Sequence, residues 1–503
     1  MADMPIVSII DHQPLLGPMT GDAKPRIRVA ELFAGVGGFR LGLEGDEFEF
    51  VFSNQYEPSE TKQWASKIYE ERFGSDGHSG KSIHEFTFPI AGIADIPDHE
   101  LLVGGFPCQD YSVARTVSGE LGIKGEKGKL WVDISRIIRW KRPRPKAILL
   151  ENVPRLLNSP ANARGLNFAV ILDDLIKMGY DVEWRVINAS DYGMPQQRSR
   201  VFILAYRRPT PKNFYINGPE RFGPILRSDK SMKRWLTGYG EKGNIGPFAK
   251  AFPIEPIEVG NRKKLPKLDE HNWSGKKSEF GKSGYAWQDN RHNRWYFSFQ
   301  PTPLYSGHRQ TLGEFLVENH DSYYEITDED KLRMYAYIKG EQKEWRIRKT
   351  DRKDAEGIDA GDENLWDLYQ RCTKGYDTQL WADSRDNPGY EEGVRMGIIY
   401  DYTAGAMAYP DPLDKPSRTV VTSEIGKSVS RMRHVIEYEK GKFRGLMPVE
   451  LERLNQFPDN WTDYQGISDS KRGFLMGNAL VVGIIERLAG PLANLIHSRG
   501  EDG

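Results

Sequence analysis

The chain has only two cysteines, no long apolar run and almost no net charge. Cys108 and Cys372 lie far apart and lack metal-site spacing, so neither a disulfide framework nor a zinc cluster is expected. No apolar run approaches the roughly 20 residues that cross a bilayer. The first residues also lack the basic stretch that opens a signal peptide. We therefore expect a soluble protein of a reducing, cytoplasmic compartment.

The charge is balanced over the whole chain, with 70 Lys and Arg against 71 Asp and Glu. Such a balance gives no general attraction to a polyanion, so any surface for nucleic acid must be a local patch. Residues 207–282 are locally basic, with 17 Lys and Arg against 8 Asp and Glu, and residues 283–309 interleave aromatic with basic side chains. This region is either such a patch or a solvated, loop-rich domain with ordinary surface lysines.

Strand-like and helix-like segments alternate from Arg26 to about Tyr206, which predicts an α/β fold with a parallel, doubly wound sheet. The alternation breaks over the next 200 residues, which are rich in Gly, Pro, Lys, Trp and Tyr. It returns after Asp411, where RTVVTS predicts a strand and three further segments predict helices. We expect four parts: a tail (1–25), the first part of the core (26–206), an insert (207–410) and a segment that completes the core (411–503).

A glycine-rich segment, ELFAGVGGFRLGLE, follows the first strand and opens a helix. Gly35, Gly37 and Gly38 permit a tight turn and the close approach of a ligand to the backbone. The segment is not the full G-x-G-x-x-G fingerprint of dinucleotide sites. An ordinary strand-to-helix turn therefore stays open as the alternative.

The segment GGFPCQDYS places Cys108 between Pro107 and Gln109 at the end of a predicted strand. A thiol there is a nucleophile if its pKa is lowered or a proton acceptor is near. The alternative is a buried structural cysteine, which is the commoner fate of a lone Cys.

Two later segments end strands with charged side chains. Glu151 ends the apolar strand KAILLENV, where a partly desolvated carboxyl group can stay protonated near neutral pH. Arg198 and Arg200, in PQQRSR, have the period-2 spacing that projects both to one side of a strand. The alternatives are a solvated glutamate at a strand end and a pair of surface arginines.

In this order, the segments resemble the signature motifs of the DNA cytosine-5 methyltransferase family. FAGVGG is similar to its S-adenosylmethionine (SAM) loop, GFPCQ to its catalytic Pro-Cys loop, and ENVP, QQRSR, PSRTVVTS and MGNALVV to its later motifs. The likeness covers about 26–206 and 411–490, and the insert stands where this family has its target-recognition domain. The resemblance implies a Rossmann-like, SAM-dependent methyltransferase core of the prokaryotic or phage modification type.

The resemblance also implies a reaction on a cytosine that is flipped out of duplex DNA. The thiolate of Cys108 would add to C6, and Glu151 would bind the N3/N4 edge and share a proton. Arg200, together with Arg198, would bind O2. C5 would then take the methyl group from SAM, leaving S-adenosylhomocysteine.

The loop of residues 109–129 has the glycines and the length of a lid over the flipped base, or it is merely a flexible surface loop. Within it, Gln109 and Ser112 are expected to contact DNA. For SAM, the resemblance points to residues near the Gly-rich loop and both ends of the core: Phe33, Gly35, Gly37, Gly38, Tyr56, Asp95, Ile96, Pro107, Leu130, Asn478, Ala479 and Leu480.

One position departs from the family pattern. Gln55 stands where the family usually has an acidic residue that binds the ribose hydroxyls of SAM. Glu57 is a possible substitute, but the alternation of an extended chain turns it the other way. The ribose contact therefore stays open.

Three rival readings remain. An RNA cytosine-5 methyltransferase would share the fold, and RCTKGY at 371–376 is similar to a Cys-Phe-Thr stretch of that branch but lacks the Phe. A catalytically dead DNA-binding scaffold would have lost the Cys or Glu. A nicotinamide-dependent dehydrogenase would give the PCQ and ENV segments no function. We expect a monomeric, metal-free enzyme acting on double-stranded DNA near the nucleoid, paired with a restriction or phage-defence system.

Overall fold

The computed structural model describes residues 25–107, 129–208, 229–239, 244–268, 273, 278–289, 291–359, 361, 363–426 and 428–498. Within these residues the centre of the molecule is a ten-stranded sheet in the order β3-β2-β1-β4-β5-β7-β6-β9-β10-β8. Its strands are β1 (Ile27–Leu32), β2 (Phe48–Asn54), β3 (His78–Ser79), β4 (Leu101–Gly105), β5 (Ala147–Asn152), β6 (Tyr180–Asn188), β7 (Ser199–Arg207), β8 (Lys263–Lys264), β9 (Ser283–Gln288) and β10 (Arg294–Phe299).

The first five strands of the sheet, β3-β2-β1-β4-β5, run parallel. The next strand, β7, is antiparallel to both β5 and β6. The connection between β6 and β7 is ten residues long and holds a 3₁₀ turn, Ala189–Tyr192. It is too short for the helical crossover that parallel neighbours need, so β7 returns in the opposite direction. The predicted α/β, Rossmann-like core is confirmed, but the expectation of a wholly parallel sheet is wrong at β7.

Helices cover both faces of the parallel part. Among the described residues before 207, the helices are α1 (Gly38–Gly42), α2 (Trp64–Phe73), α3 (Ile83–Thr87), α4 (Lys129–Trp140) and α5 (Leu166–Lys177). On one face, the apolar side chains of α4 and α5 pack with those of β1, β4 and β5 in one buried cluster. The periodic sequences of α4 and α5 thus form the amphipathic helices that a doubly wound sheet requires.

The other face is completed by the end of the chain. Three helices follow the insert, as predicted: α13 (Pro448–Leu454), α14 (Asp469–Asn478) and α15 (Val482–His497). A Cβ at Gly42 of α1 would lie 2.6 Å from Cβ of Ile485 in α15, so the two helices need this glycine to pack. Among the described residues, Asp469–His497 is long and apolar enough to cross a membrane, but 61% of its most apolar window is buried. A segment that is buried to this extent forms part of the core of the protein.

The first part of the insert extends the central sheet, since β9 pairs antiparallel with β6. Two helices, α6 (Asp229–Thr237) and α7 (Pro247–Ala251), lie beside it. The buried Arg185 of β6 donates to the carbonyl of Leu236 at 2.6 Å and to that of Phe252 at 2.8 Å. One buried guanidinium therefore satisfies carbonyls at the ends of both helices.

A second part of the insert has a core of its own, and we call residues 328–404 the helical unit. Its elements are α8 (Glu329–Lys339), β11 (Gln342–Ile347), α9 (Arg352–Glu356), α10 (Leu365–Gly375), α11 (Thr378–Asp383), α12 (Pro388–Arg395) and β12 (Ile399–Ala404). Trp345, Cys372 and Trp381 lie at the centre of its core. Cys372, in RCTKGY, is buried there with its Sγ 3.3 Å from Ser384 Oγ.

The strand predicted for RTVVTS is wrong. Residues 418–423 are not a strand, and the neighbouring Ser417 forms a single bridge with Gln196. The reason is that side chains, and not a neighbouring strand, form hydrogen bonds with the backbone of this segment: Gln196 Oε1 accepts from the Val420 amide at 2.9 Å. The next strands, β13 (Ile436–Glu439) and β14 (Lys442–Arg444), form a small hairpin.

Candidate active site

The predicted functional residues that the structure describes gather along the carboxyl ends of the parallel strands, where ligands bind in such sheets. Gly105 at the end of β4 is the register partner of Glu151 at the end of β5. A Cβ at Gly105 would lie 3.1 Å from Oε2 of Glu151. Glycine at this position therefore leaves room for the carboxyl group.

Glu151 is paired with Arg200 across the sheet. The distance from Arg200 Nε to Glu151 Oε1 is 2.9 Å, and each side chain is 14% exposed. Burial raises the pKa of Glu151 above its ordinary value, while the charges of Arg200 and Arg198 act against this rise. The carboxyl group thus keeps its proton to a higher pH than a solvated glutamate does.

Arg198 is fully buried, and its guanidinium ends on backbone carbonyls. Its Nη1 donates to Val420 O at 2.9 Å and its Nη2 to Gly477 O at 2.7 Å. Burial and the nearby Arg200 lower the pKa of Arg198. Arg198 therefore ties β7 to both motif segments that follow the insert, and its predicted contact with a base stays a prediction.

Asn152, which the sequence argument passed over, holds the start of the Pro-Cys segment. Its Nδ2 donates to Phe106 O at 2.7 Å, and its Oδ1 accepts from the Val153 amide at 2.9 Å. The side chain is buried, directly after Glu151. In the sequence, the signal for such a role is a polar residue at the end of an apolar strand. Pro107 is exposed, whereas Cys108, Gln109 and Ser112 lie outside the described residues.

Replacing Asn152 with alanine is expected to lower kcat about 10- to 100-fold. The backbone before Cys108 loses the hydrogen bond at Phe106 O, and a small displacement of a reacting group slows the reaction strongly. Binding of SAM should be unchanged, as measured by calorimetry. Asn494→Ala, which removes an amide from the exposed surface of α15, is the matched control. A wild-type kcat in Asn152→Ala would contradict the positioning role.

The predicted cofactor loop has the backbone that its glycines allow. Gly35 and Gly37 have φ angles of +58° and +89°, in the left-handed region, which favours glycine. A Cβ at Gly37 would lie 2.2 Å from Cε2 of Phe73, whereas a Cβ at Gly35 would meet nothing within 4 Å. The loop is thus packed on α2 at one glycine and open at the other.

Side chains from distant segments fix this loop. Gln55 Oε1 accepts from the Gly35 amide at 2.7 Å, and Trp461 Nε1 donates to Val36 O at 2.8 Å. Gln55 therefore supports the loop. Glu57 is turned towards Lys471, with 3.5 Å between Oε2 and Nζ. The half-exposed Tyr56 lies between them in the chain.

The other predicted cofactor residues surround the same edge. Phe33 has a φ of +56° in the turn after β1. Asp95 is exposed and Ile96 is buried at the end of a 3₁₀ turn before β4. Leu480 packs on the loop, because a Cβ at Gly38 would lie 3.0 Å from its Cγ. The remaining three are the half-buried Leu130 and Ala479 and the exposed Asn478.

A buried carboxyl group, Glu31, lies at the end of β1 just before the loop. Tyr69 donates its hydroxyl to Glu31 Oε2 at 2.9 Å. Burial raises the pKa of Glu31 to about 8, although Tyr69 and Arg40 act to lower it. Glu31 is not among the functional residues predicted from the sequence. No cluster of His, Cys, Asp and Glu fit for a metal ion occurs in the part of the chain that the structure describes.

Glu31 predicts a pH dependence of stability. Because its pKa is raised on folding, the folded state holds the proton over a range where the unfolded state has lost it. The free energy of unfolding should therefore fall as pH rises from about 4.5 to about 8, by up to about 1.4 kcal/mol per pH unit. Urea denaturation at pH 5.5, 6.5 and 7.5 should show this slope, and Glu31→Gln should reduce it.

The matched control is Glu49→Gln, at an exposed position of β2, which should keep the wild-type slope. Parallel pH profiles for the wild type and Glu31→Gln would show that Glu31 titrates normally.

Comparison with known proteins gives the family. The profile described as C-5 cytosine-specific DNA methylase matches residues 27–494. The chain belongs to this family, and it is a DNA cytosine-5 methyltransferase of the restriction-modification type. The predicted family and enzyme class are confirmed.

Among its relatives, the Type II methyltransferase M.Sau3AI of Staphylococcus aureus is 36% identical over 479 residues, which are 93% of this chain and 96% of that protein. The Type II methyltransferase M.HhaI of Haemophilus parahaemolyticus is 34% identical over 199 residues, 38% of this chain and 54% of that protein. The crystal structure of the S. pombe Dnmt2 methyltransferase superposes with a TM-score of 0.47 at 13% identity, covering 94% of this chain and 99% of that one.

Proposed function

We propose that this enzyme transfers a methyl group from SAM to C5 of a cytosine flipped out of a specific duplex DNA sequence, through a covalent bond between Cys108 and C6. The observation that supports this most is the half-buried ion pair between Glu151 at the end of β5 and Arg200 at the start of β7. It lies next to the segment leading into Cys108, which Asn152 holds. Stacked DNA would block this chemistry, so the base must be extruded.

The protein side chains divide the reaction between them. Addition of the Cys108 thiolate to C6 makes C5 nucleophilic, and Glu151 binds the N3/N4 edge and shares its proton, which offsets charge at N3. Arg200, already oriented by Glu151, binds O2, and the buried Arg198 holds the surrounding segments. After methylation, C5 loses its proton and Cys108 is eliminated.

The residues of the Gly-rich edge suit a SAM molecule. The backbone is open at Gly35, where even a Cβ would meet nothing within 4 Å. Phe33, Gly37 and Gly38 would surround the methionine portion, Tyr56, Asp95 and Ile96 the adenine, and Pro107, Leu130, Asn478, Ala479 and Leu480 the rest. When bound, SAM supplies an electrophilic methyl group and leaves as S-adenosylhomocysteine.

The DNA contacts and the setting follow from the same proposal. Gln109 and Ser112 would contact the DNA beside the target, and residues 207–410 would act as the target-recognition domain between the two core segments, 26–206 and 411–503. The enzyme would work as a monomer in the bacterial cytoplasm near the nucleoid. It would protect host DNA from a cognate restriction or phage-defence system.

Transfer of tritiated methyl groups tests the activity directly. The purified enzyme is incubated with labelled SAM and with duplex DNA, tRNA or no nucleic acid. Label should enter duplex DNA alone, and bisulfite sequencing of DNA from expressing cells should show 5-methylcytosine at one sequence. Label in tRNA with none in DNA would overturn the proposal.

A further inference from the structure

Two segments of the helical unit differ in charge. Residues 354–392, which contain α10, α11 and most of α12, hold 11 Asp and Glu but 3 Lys and Arg. Residues 343–353, in β11 and the turn after it, hold six Lys and Arg but two Asp and Glu. An acidic surface repels phosphates, so the side with β11 is the one this unit can present to DNA.

That side is a two-stranded ribbon. β11 and β12 pair antiparallel over six residue pairs, from Gln342 with Ala404 to Ile347 with Ile399. Trp345, Ile347 and Ile399 point into the core of the unit. By alternation the opposite, outer face carries Arg346, Arg348, Tyr400 and Tyr402, together with the buried Glu344.

The outer face is accessible and partly pre-organised. Tyr400 is 39% exposed, and Arg348 is exposed as well. The guanidinium carbon of Arg346 lies 3.5 Å from the ring centre of Tyr402, and its Nη2 lies 2.6 Å from Glu344 Oε1. Holding an arginine by an aromatic ring and a carboxylate reduces the entropy lost when it binds.

The chain enters and leaves the ribbon at the same end, next to a buried ionic anchor. The fully buried Lys339 comes just before β11, and its carbonyl accepts from the Met407 amide, just after β12, at 2.7 Å. Lys339 Nζ lies 2.7 Å from Asp411 Oδ2, and Arg418 Nε lies 2.6 Å from Asp411 Oδ1. Because desolvating buried charges costs free energy, we expect these ion pairs to fix the position of the ribbon rather than to add stability.

The anchor connects the ribbon to the active-site edge. Arg418 is two residues from Val420, whose carbonyl binds the buried Arg198. Arg198 is in turn two residues from Arg200, the partner of Glu151. The ribbon is thus joined to the side of the sheet where the target base would lie.

The β9–β10 turn of the insert lies elsewhere. Register pairs set Glu151, Phe202, Arg185 and Ser283 at one level across β5, β7, β6 and β9. β9 runs away from this level, so the β9–β10 turn, with Arg291, lies at the opposite end of the sheet. Its charges are poorly placed to read bases beside Glu151.

We propose that the outer face of the β11–β12 ribbon enters the major groove and reads the bases next to the target cytosine, with Arg348 and Tyr400 in contact with the DNA. The major groove, about 12 Å wide, admits a two-stranded ribbon, and arginine forms the commonest specific contact, to guanine. This inference rests on the proposed function and identifies the part of the insert that sets its sequence preference.

The test compares Arg348→Ala and Tyr400→Ala with Arg291→Ala, a matched loss of an exposed arginine at the far end of the sheet. Fluorescence anisotropy measures the affinity of each for the duplex that the wild type methylates and for a scrambled duplex. Each ribbon variant should lose roughly 10- to 100-fold in preference for the methylated sequence. Arg291→Ala should keep the wild-type preference, and SAM binding should be normal in all three.

Several results would overturn the inference while leaving the proposed function intact. One is a wild-type preference in both ribbon variants while the wild type methylates DNA. Another is an equal loss of affinity for both duplexes, which would mean phosphate contact without base readout. A relaxed preference in Arg291→Ala alone would assign the reading to the hairpin. A wild type that methylates no DNA would instead contradict the proposed function itself.

Discussion

Replacing Cys108 with serine is expected to lower methyl transfer to duplex DNA by on the order of 10⁴-fold. A serine hydroxyl is hardly ionised near neutral pH and is a far weaker nucleophile than a thiolate, so addition to C6 should almost stop. Binding of SAM and of DNA should persist, because the change removes one reactive atom. Single-turnover kinetics with tritiated SAM, together with calorimetry for SAM, measure the two effects separately.

The chain carries its own control for this experiment. Cys372→Ser makes the same chemical change inside the core of the helical unit, where Sγ contacts Ser384. It should cost some stability, because a buried sulfur becomes a polar oxygen, but it should leave turnover near the wild-type rate. Full turnover in Cys108→Ser would refute the covalent mechanism.

Replacing Glu151 with glutamine is expected to lower kcat/KM about 10²- to 10³-fold. The amide keeps the shape of the side chain but cannot give up a proton, and it loses the ion pair with Arg200. Since burial raises the pKa of Glu151, the carboxyl group holds its proton to a higher pH than usual. Wild-type kcat/KM should therefore decline as pH rises through that raised pKa, and Glu151→Gln should lack this decline.

A suitable control is Glu279→Gln, a half-exposed glutamate that pairs with Lys263 in β8, the edge strand of the sheet. Its pH profile should match that of the wild type. A Glu151→Gln enzyme with an unchanged rate and pH profile would exclude proton sharing by this carboxyl group.

The sequence predicted the elements whose signal is local. The apolar periodicity of α4 and α5 and the continuous apolar run of β5 each specify an element by themselves. The antiparallel return of β7 was missed because it depends on the length of a connection. RTVVTS was misassigned because its strand-like composition is overridden by side chains of Gln196 and Arg198, more than 200 residues away.

The site shows the same division. Glu151 and Arg200 follow from strand ends and spacing, and the structure pairs them. Asn152 and Gln55 act through backbone groups, Phe106 O and the Gly35 amide, and nothing in the local sequence names such partners. Charge counts along the insert predict a basic patch within residues 207–309, and this stays a prediction; sheet register places one part of it, the β9–β10 turn, at the end of the sheet away from Glu151.

The packing of α15 on α1 has a consequence for how the enzyme is made. The apolar face of α1, the first helix after the Gly-rich loop, is covered by Ile485, which follows the insert in the chain. A ribosome must therefore synthesise the whole insert before the apolar face of α1 is sealed. Until then, this apolar face of the growing chain stays uncovered.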